Sequence, residues 1–415
     1  MNIDLCIKCK GKGLCGKPCP IINKFKASMP KPKLHFSGNS PPEIFVGRFN
    51  YPQVNTGILA PQEHTDEAET LSMPEQWHSN KFSIEQILNS RGKLIYGRFK
   101  SSIKSVRNNL PKLNSKIPRP LQIMQEISMA YKPVDTEIFL KKLPNQNIYL
   151  TSEMPIIGNP APLLKARLQE NPKVHKKVDY LTNDYDVKSV TAMKELYKSK
   201  IPTSNIIKIL SAGLLGIAKN RKLVPTRWAI TATDDTLSKQ LLSKIKYFSE
   251  ISEFYLFTSY YLGNHYEIIL LPDKFSFEVM EAEIPGTLWN PDTNSKIYIS
   301  KDYESFRGRK KYADNVTGAY YANRLALTEF LIKIKRQASC LVLRECRPEY
   351  YAPCGIGILR EATRHAFTKK PEKFSTLNET LQTAQKKLKL PINLFTSQSS
   401  LLKEFGKQSR LTQFF

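Results

Sequence analysis

The sequence predicts an α+β fold, a mixed sheet core flanked by helices, with a small four-cysteine knuckle before it and a flexible C-terminal arm after it. Three observations support this prediction. Strand-like apolar runs are grouped between Phe254 and Ser300, and Gly263-Asn264 predicts a hairpin turn among them. Runs with helical spacing lie on both sides of this group, so strands and helices do not alternate regularly. Four of the seven cysteines fall within the first nineteen residues.

The first part of the chain contains many loop-forming residues. A first strand is predicted at roughly Glu43–Arg48, after a stretch rich in Pro, Gly and Asn. Residues Pro61–Ser79 are acidic, contain two prolines and are weakly periodic, which predicts a surface loop around Trp77. Helical spacing predicts a helix that starts at Ser83–Leu88 and another at Leu121–Ala130.

From about residue 184 the periodicity becomes clearer. Two helices separated by Pro202 precede the strand group, and a long helix and a buried strand follow it. In order, these elements are predicted at Val187–Lys200, Ser204–Lys219, Phe254–Pro272, Phe275–Ile284, Lys296–Ser300, Gly318–Gln337 and Ala338–Cys346. The change of pattern suggests a subdivision near residue 184 within a core domain that spans residues 31–368.

The charge balance points to a polyanionic partner. The 63 Lys and Arg residues outnumber the 37 Asp and Glu residues, which gives a net charge of +26. Nucleic acid is the commonest polyanion inside cells, and a lysine-rich proteome is the alternative explanation. The apolar run Ile206–Ala218 is too short to span a bilayer and contains Lys208, so no membrane association is predicted. Since the N-terminus has no hydrophobic signal region, we expect a cytoplasmic protein.

The N-terminal segment, residues 1–30, has the composition of a metal knuckle. Its spacing is Cys6-x2-Cys9-x5-Cys15-x3-Cys19, and glycines between these cysteines permit the tight turns that bring four thiolates together. Structural zinc is the predicted cofactor, since four thiolates leave no open catalytic position. An iron–sulfur cluster also accepts four thiolates, and the spacing does not exclude it. A disulfide pair is disfavoured because nothing indicates secretion.

The end of the chain is predicted to form a basic helical arm, residues 369–407, that carries a short peptide, residues 408–415. In this peptide, QSRLTQFF, the side chains of Leu411, Phe414 and Phe415 form one apolar plug when the chain makes a 3₁₀ turn. Gln408 adds an amide at the rim of the plug. The pattern resembles the clamp-interacting motif of DNA replication and repair proteins, which implies the sliding clamp PCNA as a partner. The alternative is that the two phenylalanines pack on the protein's own core.

Several stretches together resemble one family over essentially the full length. They are the four-cysteine opening, SGNSPPEIFVGRFNYPQVNTG, KLVPTRWAITATDD, GAYYANRLALTEF and the C-terminal peptide. The combination is similar to archaeal DNA repair proteins of the NreA type. The resemblance implies an archaeal, chromosome-associated protein that acts in DNA damage repair with the sliding clamp. It implies no settled reaction.

The stretch PTRWAITATDD is a candidate for chemistry in the core. It is interpreted as a short apolar strand that begins after Arg227 and Trp228 and ends at Asp234 and Asp235. An aspartate pair at a strand end can hold Mg²⁺ or Mn²⁺, an arginine can clamp a phosphate, and a tryptophan can stack on a base. The structural alternative, favoured for at least one aspartate, is a helix cap at Asp235-Thr236.

Two further candidates lie elsewhere in the core. Arg48 belongs to a glycine-bounded loop with Asn50, Tyr51 and Asn55, which suits nucleotide contact or an ordinary turn equally well. Arg324 follows the start of a predicted helix, where a phosphate can bind. The tyrosines before it are equally compatible with the core.

Two functional hypotheses follow. The first is a non-catalytic repair factor that the clamp recruits and that binds DNA through a basic surface. The second is an enzyme acting on DNA or a nucleotide, such as a metal-dependent nuclease or a nucleotidyl or ADP-ribosyl transferase, with a pocket around Arg227 and Asp234. No Walker loop, dinucleotide fingerprint or nucleophile elbow is present, which favours the first hypothesis. A deep pocket that gathers Arg48, Arg227 and Asp234 would favour the second.

Overall fold

The computed structural model describes residues 23, 26, 29–106, 117–144, 155–157, 159–287, 290 and 297–406. The chain divides into two compact units. The N-terminal unit extends to Leu237 and also includes Pro353–Gly357, and the C-terminal unit comprises Ser238–Ala352 and the chain from Ile358 onward. Residue 184, where the sequence suggested a subdivision, lies inside the N-terminal unit.

The N-terminal unit is built on a six-stranded mixed sheet of order β1-β5-β6-β4-β3-β2. Its strands are β1 His35–Ser40, β2 Ile44–Val46, β3 Gln53–Pro61, β4 Leu94–Ser102, β5 Val134–Leu140 and β6 Pro160–Leu168. Neighbouring strands are antiparallel except β4 and β6, which are parallel. Gly57 has a structural reason to be glycine, because a Cβ atom there would lie 2.0 Å from the carbonyl oxygen of Gly97 on β4.

Helices follow and connect these strands. They are α1 Pro74–Ser79, α2 Ile84–Gly92, α3 Arg119–Met129, α4 Lys176–Asn183, α5 Ser189–Lys198, α6 Thr203–Ser211 and α7 Thr226–Ile245, of which the residues from Ser238 onward belong to the C-terminal unit. Ser83 begins α2 with a capping box, in which its hydroxyl accepts from the Gln86 amide and the Gln86 side chain accepts from the Ser83 amide. Apolar residues of β2–β6 and α3, including Ile58 and Leu121, form one buried core. The predicted helices at α2, α3, α5 and α6 are confirmed in type and start, but α6 ends at Ser211 rather than at the predicted Lys219.

The predicted surface loop at Pro61–Ser79 is wrong. A 3₁₀ turn, Ala68–Leu71, and helix α1 occupy its second half. Trp77 is fully buried, and its indole N–H donates to the carbonyl oxygen of Thr70 at 2.5 Å. Burial of the indole stabilises a segment whose acidic composition alone suggested exposure, because a large aromatic surface is removed from water.

The C-terminal unit contains a second six-stranded mixed sheet, of order β10-β9-β11-β8-β7-β12. Its strands are β7 Phe254–Tyr261, β8 Asn264–Leu271, β9 Ser276–Glu283, β10 Tyr298–Glu304, β11 Ser339–Cys346 and β12 Glu372–Phe374. The predicted hairpin is confirmed, but its turn is Leu262-Gly263, both with positive φ, one residue before the predicted pair. The central strands β8 and β11 are buried along their whole length.

The helices of this part of the chain are α8 Gly318–Ile334, α9 Ile356–Ala366, α10 Leu377–Gln385, α11 Asn393–Thr396 and α12 Ser400–Glu404. Alternate residues of the central strands face apolar side chains from α10–α12, including Phe395 and Leu401. The long predicted helix is thus α8. These five helices and the six strands give the α+β class that the sequence predicts.

The flexible arm predicted after residue 368 is wrong over residues 369–406. Strand β12 pairs with β7, and α10–α12 pack on the sheet. A fully buried carboxylate, Glu278, accepts hydrogen bonds from the Ser399 hydroxyl at 2.5 Å and from the amides of Ser400 and Leu401 at 2.9 Å each. The segment is helical, as predicted, but its leucines bury against the sheet, and this burial offsets the entropy that a mobile arm would keep.

No helix in the described ranges is both long enough and apolar enough to cross a membrane.

Candidate nucleic-acid interface

Three segments of the N-terminal unit contain no acidic residues, and we call these segments together the acid-free region. Residues 44–62, 94–106 and 212–233 contain eight Lys and Arg residues and no Asp or Glu. Strands β3 and β4 pair along their full length, and the amide of Ile103 donates to the carbonyl oxygen of Pro52. The amide of Leu223 donates to the carbonyl oxygen of Ile103. The three segments are therefore neighbours in space, and their positive charges attract a polyanion.

Exposed aromatic rings lie within this region. The ring centroids of Tyr51 and Trp228 are 5.4 Å apart at an interplanar angle of 53°. Tyr51 is 43% exposed, Trp228 is 45% exposed and Phe49 is 75% exposed. The guanidinium of Arg48 lies 5.5 Å from the centre of the Phe49 ring. We call Arg48, Phe49, Tyr51 and Trp228 together the Trp228 surface.

Partly buried hydrogen bonds fix the position of Trp228 relative to the loop that carries Tyr51. Helix α7 begins after Pro225, whose carbonyl oxygen accepts from the amide of Trp228. In the first turn, the Thr226 hydroxyl accepts from the amide of Val46 at 2.9 Å and contacts the Ser211 hydroxyl at 3.1 Å. The start of the helix is thereby joined to β2, the strand that leads into the loop.

The loop itself is closed by its own backbone. The amide of Gln53 donates to the carbonyl oxygen of Asn50, and the amide of Gly47 donates to that of Asn55. Asn50 has a φ of 62°, a left-handed conformation that asparagine tolerates better than most residues. These hydrogen bonds and the conformation of Asn50 place Phe49 and Tyr51 outside the core on an ordered turn, rather than on a free loop. The Tyr51-Pro52 peptide bond is cis.

Exposed lysines lie on two of the three segments. Lys104 and Lys222 are exposed. Lys104 follows Ile103 and Lys222 precedes Leu223, and these two neighbours are joined by a backbone hydrogen bond. Arg221 has a different role, because it is buried and donates to the carbonyl oxygens of Gly216, Thr182 and Asp184 at 2.6–2.8 Å. Burial lowers the pKa of this guanidinium. Arg221 therefore holds the segment in place, while its neighbours remain available to solvent.

The chemistry of this arrangement suits nucleic acid. Exposed guanidinium and ammonium groups neutralise phosphates, and aromatic faces stack on bases. Of the predicted site residues, Arg48 and Trp228 lie in this region, and Arg227 lies on the same helical turn as Trp228. Sequence reasoning missed Phe49, Lys104 and Lys222. The absence of Asp and Glu from three separate segments was a signal that could have revealed them.

The predicted strand end at Asp234 and Asp235 is wrong, because both residues lie inside the 20-residue helix α7. Buried positions such as Ala229, Thr233 and Leu237 recur every four residues, which is helical spacing. Adjacent helical side chains diverge by about 100°, and only Asp234 is fully buried. The two carboxylates therefore do not converge on one metal ion, and the helix-cap alternative is wrong as well.

Asp234 differs from Trp228 in its exposure to solvent. Arg227 and Asp234 are seven residues apart on α7, so their Cα atoms are about 10 Å apart along the axis. Asp234 is completely buried, whereas Trp228 is half-exposed. The pocket around Arg227 and Asp234 that the enzyme hypothesis requires stays a prediction.

Arg324 is a core residue of the C-terminal unit, not a phosphate ligand. It is 1% exposed, and its guanidinium donates to both carboxylate oxygens of Glu304 at 2.9 and 3.0 Å and to the Ser238 hydroxyl at 3.1 Å. The rings of Tyr320 and Tyr321 lie within 5.6 Å of it and are buried. A buried arginine is stable only with such partners. The core alternative for the two tyrosines is confirmed.

The remaining predicted site residues lie outside the described residues. They are Cys6, Cys9, Cys15 and Cys19 of the knuckle and Gln408, Leu411, Phe414 and Phe415 of the C-terminal peptide. Within the described ranges, no group of three or more His, Cys, Asp or Glu side chains is arranged to hold a metal ion.

Comparison with known proteins identifies the family. The family model described as "Archaeal Nre, N-terminal" matches residues 14–290, and the one described as "Archaeal Nre, C-terminal" matches residues 304–414. The DNA repair protein NreB of Archaeoglobus fulgidus is 34% identical over 99% of both chains. The DNA repair protein NreA of Haloferax volcanii is 35% identical over 80% of this chain and 77% of its own.

NreA of Archaeoglobus fulgidus is also 34% identical, over 97% of this chain and 98% of its own. No solved structure matches this chain. Two family models match the chain, and three relatives are more than 30% identical to it over most of its length. Both findings agree with the resemblance noted in the sequence. The chain therefore belongs to the archaeal Nre family.

Proposed function

We propose that this protein is a DNA repair factor that binds DNA through the Trp228 surface and that the sliding clamp PCNA recruits through residues 408–415. The names of its relatives support the repair role. The observation that carries the DNA-binding part is the exposed Tyr51–Trp228 ring pair within an acid-free region. A protein recruited in this way is associated with the chromosome.

The C-terminal peptide supports the clamp as partner. Burial of Leu411, Phe414 and Phe415 in a partner contributes roughly 5–8 kcal/mol at about 1.5–3 kcal/mol for each side chain. Ordering of the peptide offsets a few kcal/mol, so we expect affinity in the micromolar range, strengthened when both proteins lie on the same DNA. Helix α12 ends at Glu404, four residues before Gln408, so a docked peptide keeps the packed C-terminal unit close to the clamp.

Calorimetric titration of the clamp tests this recruitment. We expect the full chain to bind and a chain that ends at Lys407 to show no heat of binding, because the apolar plug is gone. The matched control is Lys403→Ala on α12, which leaves the peptide intact and retains the affinity of the full chain. Undiminished binding by the truncated chain would contradict recruitment through the peptide.

Zinc is the cofactor that we propose for the knuckle. Four closely spaced cysteines favour a tetrahedral thiolate site, which stabilises a small module and carries no reaction. The positive lysines between them offset the negative charge of a zinc–thiolate centre. Metal analysis of the purified chain distinguishes zinc from an iron–sulfur cluster.

A further inference from the structure

We infer that the Trp228 surface binds unpaired nucleotides, whose bases stack on Tyr51 and Trp228, rather than intact duplex. The inference rests on the proposed function and specifies which form of DNA this surface recognises. Its ligand class is single-stranded nucleic acid, or a base displaced from a damaged duplex.

The first argument is the exposure of the rings. Tyr51, Phe49 and Trp228 leave between 43% and 75% of their surface in water, although the same unit buries Trp77 completely. Aromatic side chains contribute most when their faces are covered, and an exposed apolar cluster on an ordered surface is typical of a binding site.

The second argument is order. Thr226 joins the start of α7 to Val46, and two backbone hydrogen bonds close the turn that carries Tyr51. The rings are therefore already in position before a ligand arrives. A base that stacks on an ordered ring loses less free energy to immobilisation of side chains than one that stacks on a mobile loop.

The third argument distinguishes single strands from duplex. Bases within a duplex are stacked on one another, so only an unpaired base offers its face to a protein ring. A surface that reads duplex through phosphates alone has no use for aromatic faces. The acid-free region supplies the cations for the backbone, among them Arg48, Lys104 and Lys222.

Fluorescence anisotropy with two labelled probes tests the inference. One probe is a short oligothymidylate, and the other is a hairpin duplex with the same number of phosphates. We expect the full chain to bind the oligothymidylate more tightly at equal salt. Trp228→Leu removes the ring but keeps an apolar side chain of a helix surface, and we expect it to weaken single-strand binding by about ten- to hundredfold.

For the duplex probe, we expect Trp228→Leu to change the affinity by less than about twofold, since phosphate contacts remain. Trp228→Phe retains an aromatic face and recovers most of the single-strand affinity. The matched control is Tyr180→Leu, another tyrosine of the N-terminal unit that is 62% exposed and lies on α4. We expect this control to leave both affinities unchanged.

Three results would overturn the inference. Equal losses for both probes in Trp228→Leu would show that the ring does not select unpaired bases. An unchanged single-strand affinity in this variant would show that the ring is not a stacking site. Failure of the unsubstituted chain to bind either probe would reject the DNA-binding part of the proposed function too, which makes that outcome distinguishable from the other two.

Discussion

Arg324 and Arg344 of the C-terminal unit have a different role from Arg48 of the N-terminal unit. In the C-terminal unit, Arg324 is buried against Glu304 and Arg344 against Glu281, each with an N–O distance of 2.6–2.9 Å. In the N-terminal unit, Arg48 is exposed beside an aromatic ring, in a region without acidic residues. Buried and paired charges are part of the fold, whereas exposed cations next to exposed rings suit a ligand. Residue type alone does not separate the two roles.

The largest effect that we expect from this comparison is loss of stability on substitution of Arg324. Arg324→Ala leaves the buried Glu304 carboxylate without its partner, which costs about 3–5 kcal/mol of the free energy of unfolding. Urea denaturation measures this change. Arg48→Ala is the matched control, and we expect it to change the free energy of unfolding by less than about 0.5 kcal/mol. Similar losses in the two variants would invalidate the comparison.

A smaller effect is expected on DNA binding by Arg48→Ala. Loss of one phosphate contact weakens single-strand binding by severalfold and reduces the slope of log affinity against log salt by about 0.7. Anisotropy titrations over a range of salt concentrations measure both quantities. Lys335→Ala, an exposed cation at the end of α8 in the C-terminal unit, serves as the control. An unchanged slope for Arg48→Ala would show that Arg48 does not contact a phosphate of the bound DNA.

The smallest expected effect concerns the three buried cysteines. Burial raises the pKa of Cys340, Cys346 and Cys354, so their thiols stay protonated and unreactive toward thiol reagents at neutral pH. After chelation of a knuckle metal, we expect only the four N-terminal cysteines of the seven to react, and all seven after denaturation. Reaction of more than four thiols in the folded chain would contradict the described burial.

The same thiols make the free energy of unfolding decrease at alkaline pH. Their folded-state pKa values lie above those of the unfolded chain, so the folded state binds more protons once the pH exceeds the ordinary thiol value. Their contribution is present in full below about pH 8.5 and declines as the pH rises above it. Unfolding midpoints at a series of alkaline pH values measure the decline, and substitution of Cys340 by Ala reduces its slope.

Much of the fold followed from sequence periodicity. The helices at Ile84–Gly92 and Gly318–Ile334 and the strands around Gly263 have capping residues, turn residues or long periodic runs that local physics determines. The prediction of a strand before Asp234 was wrong for a local reason as well. Its apolar run before the aspartates is too short to distinguish a strand from a helix until the whole of α7 is considered.

The candidate site was predicted only in part. The sequence identified Arg48 and Trp228 as candidates, but 180 positions separate them and no local pattern shows that they approach. Hydrogen bonds from Val46 to Thr226 and from Ile103 to Pro52 bring the segments together. These contacts depend on strand order, which a single sequence does not specify.

The sequence by itself determined the family, the α+β class, the positive charge and the elements with strong local signals. Only the tertiary structure decided which charged and aromatic residues are buried. Trp77 and Trp228 illustrate the difference, since Trp77 was predicted in a surface loop but is buried, whereas Trp228, predicted beside a short apolar strand, is half-exposed. The same holds for the leucines of residues 369–406, which pack on the sheet rather than line a mobile arm. Burial depends on which elements pack together, and long-range packing, rather than local propensity, supplies most of the free energy that fixes it.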